Sequence, residues 1–338
     1  MYKSVKKIAI LILISALLTF PNNLSLAKDG KVEVVTTLPY LTSIVKAIGG
    51  DFVKVECLVP QGSDPHHYEL TINDVQKIEN ANLIVMTGPS HTPVELKIQD
   101  MVSKKAIKGI VVNYEDYVKN GLNLIKLPDG KYNPHGYFLS YNGLRAIAIS
   151  VADALKKVDS KNSKLYDFTL NLYLSSIDKL SEMAKSGLKG RNIKVSLFTP
   201  ILQYALHDLG IKIVNILVIE QGVEPTVRAV ENLINLAKRR EIDFVLLTDM
   251  DEGSYKSIVK LFNDENIPYI IVPFLKAKIT ERPESISIII TSSILSYTQQ
   301  KTQKDIQLNL SMPLTISITA NIILSLLVIS LYLKIRRL

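Results

Sequence analysis

The chain has 338 residues, 40 basic against 32 acidic, with one cysteine and no tryptophan. A lone cysteine excludes an intrachain disulfide framework and any CxxC metal or redox motif. Setting aside Lys3, Lys6, Lys7, Lys334, Arg336 and Arg337 at the two ends leaves 34 basic residues against 32 acidic ones, so the net charge of +8 speaks for topology and against nucleic acid as a partner.

In chain order, Lys3, Lys6 and Lys7 precede an unbroken apolar run from Ile8 to Leu18, and the segment closes on Ser25-Leu26-Ala27. That is the pattern of a secretory signal peptide over residues 1–27. From residue 28 short β-branched runs alternate with amphipathic stretches: strand 32–37, helix 41–48 ended by Gly49-Gly50, strand 53–59, helix 72–80 and strand 83–86. Such alternation predicts βαβ units and a parallel sheet. Residues 140–186 then contain no proline and hardly any glycine, and their apolar periodicity predicts a helix over 141–158 and a long one over 163–183.

A second series follows: strand 194–198, helix 201–209 closed by Gly210, strand 212–218, helix 226–238, strand 244–248, helix 255–263, strand 269–272 and a last helix over 284–298. This gives an N-terminal α/β lobe over 28–160, a connecting spine helix over 161–188 and a C-terminal α/β lobe over 189–298. Residues 299–312, rich in Gln, Lys, Thr and Ser, read as a stalk. The apolar segment 313–334 has the length of a bilayer-spanning helix, and the basic tail at 335–338 marks its cytoplasmic side. The expected topology is a single-pass cell-membrane protein with its folded body outside.

Two histidine motifs carry the chemistry. Gly62-Ser63-Asp64-Pro65-His66-His67-Tyr68-Glu69 follows the second strand, and the carboxyl end of a parallel strand is where α/β sheets place ligands. Imidazoles with carboxylates nearby suit Zn²⁺ or another borderline divalent ion. Adjacent residues in an extended loop point apart, so one of the two histidines is the candidate ligand. Asn133-Pro134-His135 repeats the Pro-His device ahead of the next helical region.

With those motifs, the long helix and the run Gly222-Val223-Glu224-Pro225-Thr226 in the same order and spacing over about residues 31–297, the chain resembles the zinc and manganese solute-binding proteins of ABC importers, the TroA-like superfamily. The resemblance implies two α/β lobes with parallel sheets bridged by one long rigid helix, and a metal ion in the interlobe cleft. It implies a monomer that captures a divalent transition metal, Zn²⁺ or Mn²⁺, as cargo and delivers it to an ABC permease and its ATPase. It implies no enzyme activity. The first ligand falls on His66 and the second on His135, with Tyr68 and Glu69 organising the loop.

The C-terminal lobe departs from the pattern. The third ligand, a His or Glu, falls on Thr199, and the fourth, an Asp, falls near Leu275-Lys276, with no carboxylate before Glu281. Substitutes are Asp249 and Glu220, each just after a predicted strand, and Asp251, Glu252 or Glu281. His207 reads as a helix-surface or interlobe residue, and His91, in a loop near the N-lobe cleft, is a further replacement ligand. The departure admits a second reading, the same fold with an altered ligand or a cell-surface adhesion role. A third is a metal-dependent hydrolase holding its metal on His66 and His135 with Asp249 or Glu220 as base; the chain has no HExxH, GxSxG or Gly-rich phosphate loop to support it.

Overall fold

The computed structural model describes residues 30–303 apart from Asp64, residues 89–91 and residues 220–222. The expected signal peptide, the later part of the stalk and the expected anchor at 313–334 lie outside the described residues. Among the described residues no helix is long and apolar enough to cross a membrane.

The first half of the chain runs β1 (Val32–Thr36), α1 (Pro39–Gly49), β2 (Val53–Cys57), α2 (Ile72–Asn80), β3 (Leu83–Val85), α3 (Pro93–Ser103), β4 (Ile110–Val112) and α4 (Tyr114–Lys119). Its four strands are all parallel in the order β2-β1-β3-β4. Val34 and Val35 point to opposite faces and both are buried, which is why the strand reads as a continuous β-branched run with no alternation. Helix α1 covers one face with Tyr40, Leu41, Ile44, Val45 and Ile48, the i, i+4, i+8 stripe of an amphipathic helix.

The second half repeats the architecture: β5 (Lys194–Leu197), α7 (Gln203–Asp208), β6 (Lys212–Ile216), α8 (Val227–Lys238), β7 (Phe244–Thr248), α9 (Asp249–Ser254), α10 (Lys256–Asp264) and β8 (Tyr269–Val272). Its sheet is also all parallel, in the order β6-β5-β7-β8. A final helix, α11, spans residues 286–303.

Between the sheets lie α5 (Tyr141–Val158) and the 25-residue α6 (Ser163–Gly187). Tyr166 and Ile177 of α6 belong to the N-lobe core and Ala184 to the C-lobe core. The Thr169 hydroxyl donates to the Ile48 carbonyl at 2.6 Å, and the Thr291 hydroxyl of α11 donates to the Ala184 carbonyl at 3.2 Å. Helix α6 is therefore packed into both lobes, as the sequence predicts. Leu127 and Leu139 also pack in the C-lobe core, and Tyr204 packs in the N-lobe core, so the lobes interlock through residues 125–139.

Several predicted elements change in the structure. Helix α3, strand β4 and helix α4 occupy a stretch where the sequence reading places nothing; β4 and α4, of three and six residues, are too short to show a period, whereas the eleven-residue α3 carries one in Val94, Ile98 and Met101. The single helix expected over 201–209 is a 3-10 turn, Pro200–Leu202, followed by α7; Pro200 supplies no backbone N–H and fixes the turn's first residue. Helix α9 precedes the helix expected at 255. The last helix begins with a 3-10 turn at Pro283–Ser285 and runs on to 303, so the first five residues of the expected stalk are helical.

Candidate metal centre

The loop after β2 carries His66. Leu58 and Val59 extend the pairing with β1 through N–H bonds to the Thr36 and Thr37 carbonyls at 2.9 and 3.2 Å, and the chain then turns over residues 65–67. The far side of the loop is tied to α2: the Tyr68 hydroxyl donates to Asp74 Oδ2 at 3.0 Å, inside the Thr71/Asp74 capping box. Burial works against the Asp74 charge, but the hydrogen bonds from Thr71 and Tyr68 outweigh it and hold the carboxyl below its usual range. His66 and His67 are both exposed.

The second loop is fixed by contacts that cross between lobes. Asn133 is fully buried; its side-chain amide donates to the Pro200 carbonyl at 3.0 Å and to Gln203 Oε1 at 2.8 Å, while its own oxygen accepts the His135 N–H at 2.9 Å. The Tyr204 hydroxyl donates to the Asn133 carbonyl at 2.6 Å and accepts from the Ile125 N–H at 3.1 Å. Burial pushes the Tyr204 phenol up to about 12, so it stays a donor at neutral pH. Gly136 has φ +75°, and a Cβ there would lie 2.0 Å from the Ile201 carbonyl oxygen. Only glycine fits both that backbone and that approach. On the N-lobe side, the Tyr137 hydroxyl donates to the Thr87 carbonyl at 2.5 Å.

These two loops bring the His66 and His135 rings to 6.2 Å between centroids at an interplanar angle of 64°. A metal–nitrogen bond of about 2.0–2.1 Å puts two imidazoles that share an ion roughly 5–6 Å apart, and the two rings lie just wider than that. Among the described residues no group of three or more His, Cys, Asp and Glu side chains is arranged to hold a metal.

The other sequence candidates lie elsewhere. Asp249 begins α9 and gives both oxygens to backbone, accepting the Leu275 N–H at 2.8 Å and the Lys276 N–H at 3.1 Å; it clasps the loop after β8. Glu281 pairs with Lys278 at 3.7 Å, Glu252 is half-buried on α9, and His207 is exposed on α7. Glu220 and His91 lie outside the described residues.

Two buried carboxylates went unread or nearly so in the sequence. Asp251, 3% exposed, accepts from the Thr248 N–H and hydroxyl, both at 2.8 Å on Oδ2, and from the Thr199 hydroxyl at 3.1 Å on Oδ1. Burial pushes its carboxyl above the usual range and outweighs those bonds. Glu95, with no exposed surface, accepts the Thr37 hydroxyl at 3.0 Å, the Thr87 N–H at 2.5 Å and the Gly88 N–H at 2.9 Å. The legible signal was local: Thr248-x-x-Asp251 and Thr92-x-x-Glu95 both have the spacing of a helix N-terminal cap.

Comparison with known proteins agrees with this architecture. The family description "Zinc-uptake complex component A periplasmic" matches residues 34–272, well over half of the chain. The metal ABC transporter substrate-binding lipoprotein FimA of Streptococcus parasanguinis is 30% identical over 268 residues, 76% of this chain and 84% of the relative. The manganese ABC transporter substrate-binding lipoprotein PsaA of Streptococcus pneumoniae is 28% identical over 254 residues, 72% and 80% of the two chains. Among solved structures, the Mn²⁺ complex of FpvC from Pseudomonas aeruginosa has the same fold, with a TM-score of 0.66 at 18% identity over 80% of this chain and all of that one. Two parallel-sheet lobes, a shared long helix and a family match through both sheets lead to one assignment: the chain belongs to the zinc-uptake component A family, the metal-binding components of ABC importers.

Proposed function

We propose that the protein captures a divalent transition-metal ion on His66 and His135 in the cleft between its lobes and delivers it to an ABC permease. The observation that carries this reading is the 6.2 Å approach of the two rings, reached from loops 69 residues apart in sequence, whose second member is clamped to both lobes. Neutral imidazole is the ligand, so protons compete with the metal and affinity falls as the pH drops through the range in which imidazole is protonated. The metal is Zn²⁺ or Mn²⁺; relatives are named for manganese and for iron, and imidazole alone does not choose among them. Capture asks nothing of the protein but affinity and release, and it needs no catalytic base.

Location follows from the sequence: residues 1–27 direct export and residues 313–334 anchor the body at the membrane, where a tether raises its effective concentration at the permease. The relatives carry the word lipoprotein in their names, whereas residues 1–27 of this chain contain no cysteine to lipidate. An apolar anchor at residues 313–334 does the same work of confinement.

The test is calorimetric titration of metal-stripped full-length protein in detergent with Zn²⁺, Mn²⁺ and Fe²⁺, beside His66→Ala and His135→Ala. One-to-one binding that falls by at least about 100-fold in each variant, the upper end of what losing a mere supporting hydrogen bond costs, is the expected result. Affinity indifferent to both substitutions sinks the reading. It would leave the altered-ligand reading, which Thr199 and Lys276 favour by standing where the resemblance places a third and a fourth ligand.

A further inference from the structure

The C-lobe sheet has a basic edge, opposite the edge that meets the His135 loop. Its four strands are parallel, so all of them start on the same side. Lys189 and Arg191 lie between α6 and β5, Lys212 opens β6, and Arg240 lies between α8 and β7; all four are exposed. Among the described residues none of the four makes an ion pair. The acids on this side are mostly committed: Glu241 pairs with Arg239 at 3.8 Å, Glu265 pairs with Lys238 at 2.8 Å, and Asp243 accepts the Lys194 N–H at 2.8 Å. Only Asp264, at the end of α10, is left without such a partner. Lys194 and Lys212 are register partners on adjoining strands, where like charges repel. The edge therefore carries positive charge that the protein does not neutralise.

Helix α11 takes the chain to this same edge. It passes the last residue of α6 at Thr291 and Leu295, which a Cβ on Gly187 would meet, and its Tyr297 ring lies 5.7 Å from Phe244, the first residue of β7. The six residues from Tyr297 to 303 add about 9 Å of helix beyond that point. Residues 304–312 then connect to the apolar segment 313–334, and a connection of that length reaches no further than about 30 Å. An anchor at 313–334 thus holds the basic edge, and no other part of the C-lobe sheet, next to the bilayer surface.

We propose that the amino edge of the C-lobe sheet docks on anionic phospholipid headgroups. Arg191 and Arg240 offer paired N–H donors to phosphate oxygens, and Lys189 and Lys212 add point charges. The tether favours lipid over an acidic protein surface as the occupant, because it brings lipid to this edge at high effective concentration whatever else is present. The inference rests on the anchor reading above and adds a pose to it: the body stands on the amino edge of this sheet, and the carboxyl edge with the His135 loop is turned away from the lipid.

The experiment places the full-length protein in nanodiscs of phosphatidylcholine, with or without about one-third phosphatidylglycerol, and follows acetylation of individual lysines by mass spectrometry. Lys189 and Lys212 report on the edge, and the exposed Lys105 and Lys108 of the N-lobe are the internal control. At about 0.1 M salt, Lys189 and Lys212 should react at least about threefold more slowly in the anionic discs than in the neutral ones, and the control lysines equally in both. Raising the salt to about 1 M, or combining Arg191→Glu with Arg240→Glu, should abolish the difference. Both arginines lie on the surface, so folding and metal affinity are expected to be unchanged in that variant. Equal rates in the two lipids, or a difference that survives both high salt and the double variant, overturn the proposal. Slowing that requires the permease in the disc and ignores lipid charge assigns the edge to protein and overturns it as well. The anchor is read separately. Wild-type protein that fails to enter neutral discs sinks the anchor reading, and the edge is then judged on free protein mixed with phosphatidylglycerol vesicles: binding that the double variant loses supports the docking face, and no binding overturns it.

Discussion

The two lobes share a strand order, and in each the order reverses between the two central strands, β1 and β3 in one and β5 and β7 in the other. That reversal opens a crevice at the carboxyl ends of the strands, the usual ligand position of an open α/β sheet. Each lobe seals the crevice with a buried carboxylate on the next helix: Glu95 ties Thr37 to Thr87, and Asp251 ties Thr199 to Thr248. The difference lies in what is added. The N-lobe side contributes two histidine loops above its seal, while the C-lobe contributes the floor against which the second loop is pressed. The N-lobe side carries both histidines, and the C-lobe fixes the place of the second.

That division is broken most directly at Gly136. A Cβ there meets the Ile201 carbonyl at 2.0 Å on a backbone with φ +75°. Left-handed strain and overpacking together suggest that Gly136→Ala costs about 4 kcal/mol of unfolding free energy. Urea denaturation measures it, and metal affinity should fall in the same variant because the His135 loop lifts from the C-lobe. A loss within about 0.5 kcal/mol, the range of an indifferent surface change, would mean that the lobes are not pressed together there.

Asn133→Ala comes next. It leaves the Pro200 carbonyl, the Gln203 side chain and the His135 N–H short of partners. Stranding buried polar groups in this way is expected to cost about 2–3 kcal/mol. Tyr204→Phe keeps the ring and removes only the hydroxyl between Ile125 and Asn133, for about 1–2 kcal/mol. A double variant sharpens the comparison: Asn133 and Tyr204 hold one loop, so their costs should couple and fall short of additivity. Simple addition would show that they act on separate parts of the fold.

The repetitive fold was legible because strands and helices write themselves locally. Val32, Val34 and Val35 announce a doubly buried strand, and Leu144, Ile147, Val151 and Leu155 announce the buried face of α5. Elements of three to six residues, such as β4 and α4, carry no period and were silent. The two histidines were legible because proline marks each loop. The rest of the candidate site depends on contacts between residues far apart in sequence, Thr199 with Asp251 across 52 positions and Asn133 with Pro200 across 67. No window of sequence contains such a pair. Position just after a strand points to Asp249, whose oxygens are committed to the loop after β8, because position along the chain does not tell which acid on a short helix faces inward.

Glu95 gives the smallest and most specific test, since it separates a structural seal from a metal-related one. Burial penalises its charged form and outweighs its hydrogen bonds, so its carboxyl lies above the ordinary glutamate value of 4.5. The acids and phenols around it bring no cation: Tyr40, Tyr117 and Tyr137 are themselves raised by burial and stay neutral. Between the unfolded and the raised folded value, the folded protein keeps a proton that the unfolded chain has lost. Stability therefore falls as pH rises through that window, by no more than about 1.4 kcal/mol per pH unit for one proton. Glu95→Gln lacks this proton and should show a flatter profile, while its metal affinity, set by loops that Glu95 does not touch, stays within about threefold of wild type. Parallel stability profiles for the two proteins would mean that folding does not raise the Glu95 carboxyl. A large loss of metal affinity in Glu95→Gln would mean that the N-lobe seal serves the ion and is more than structural.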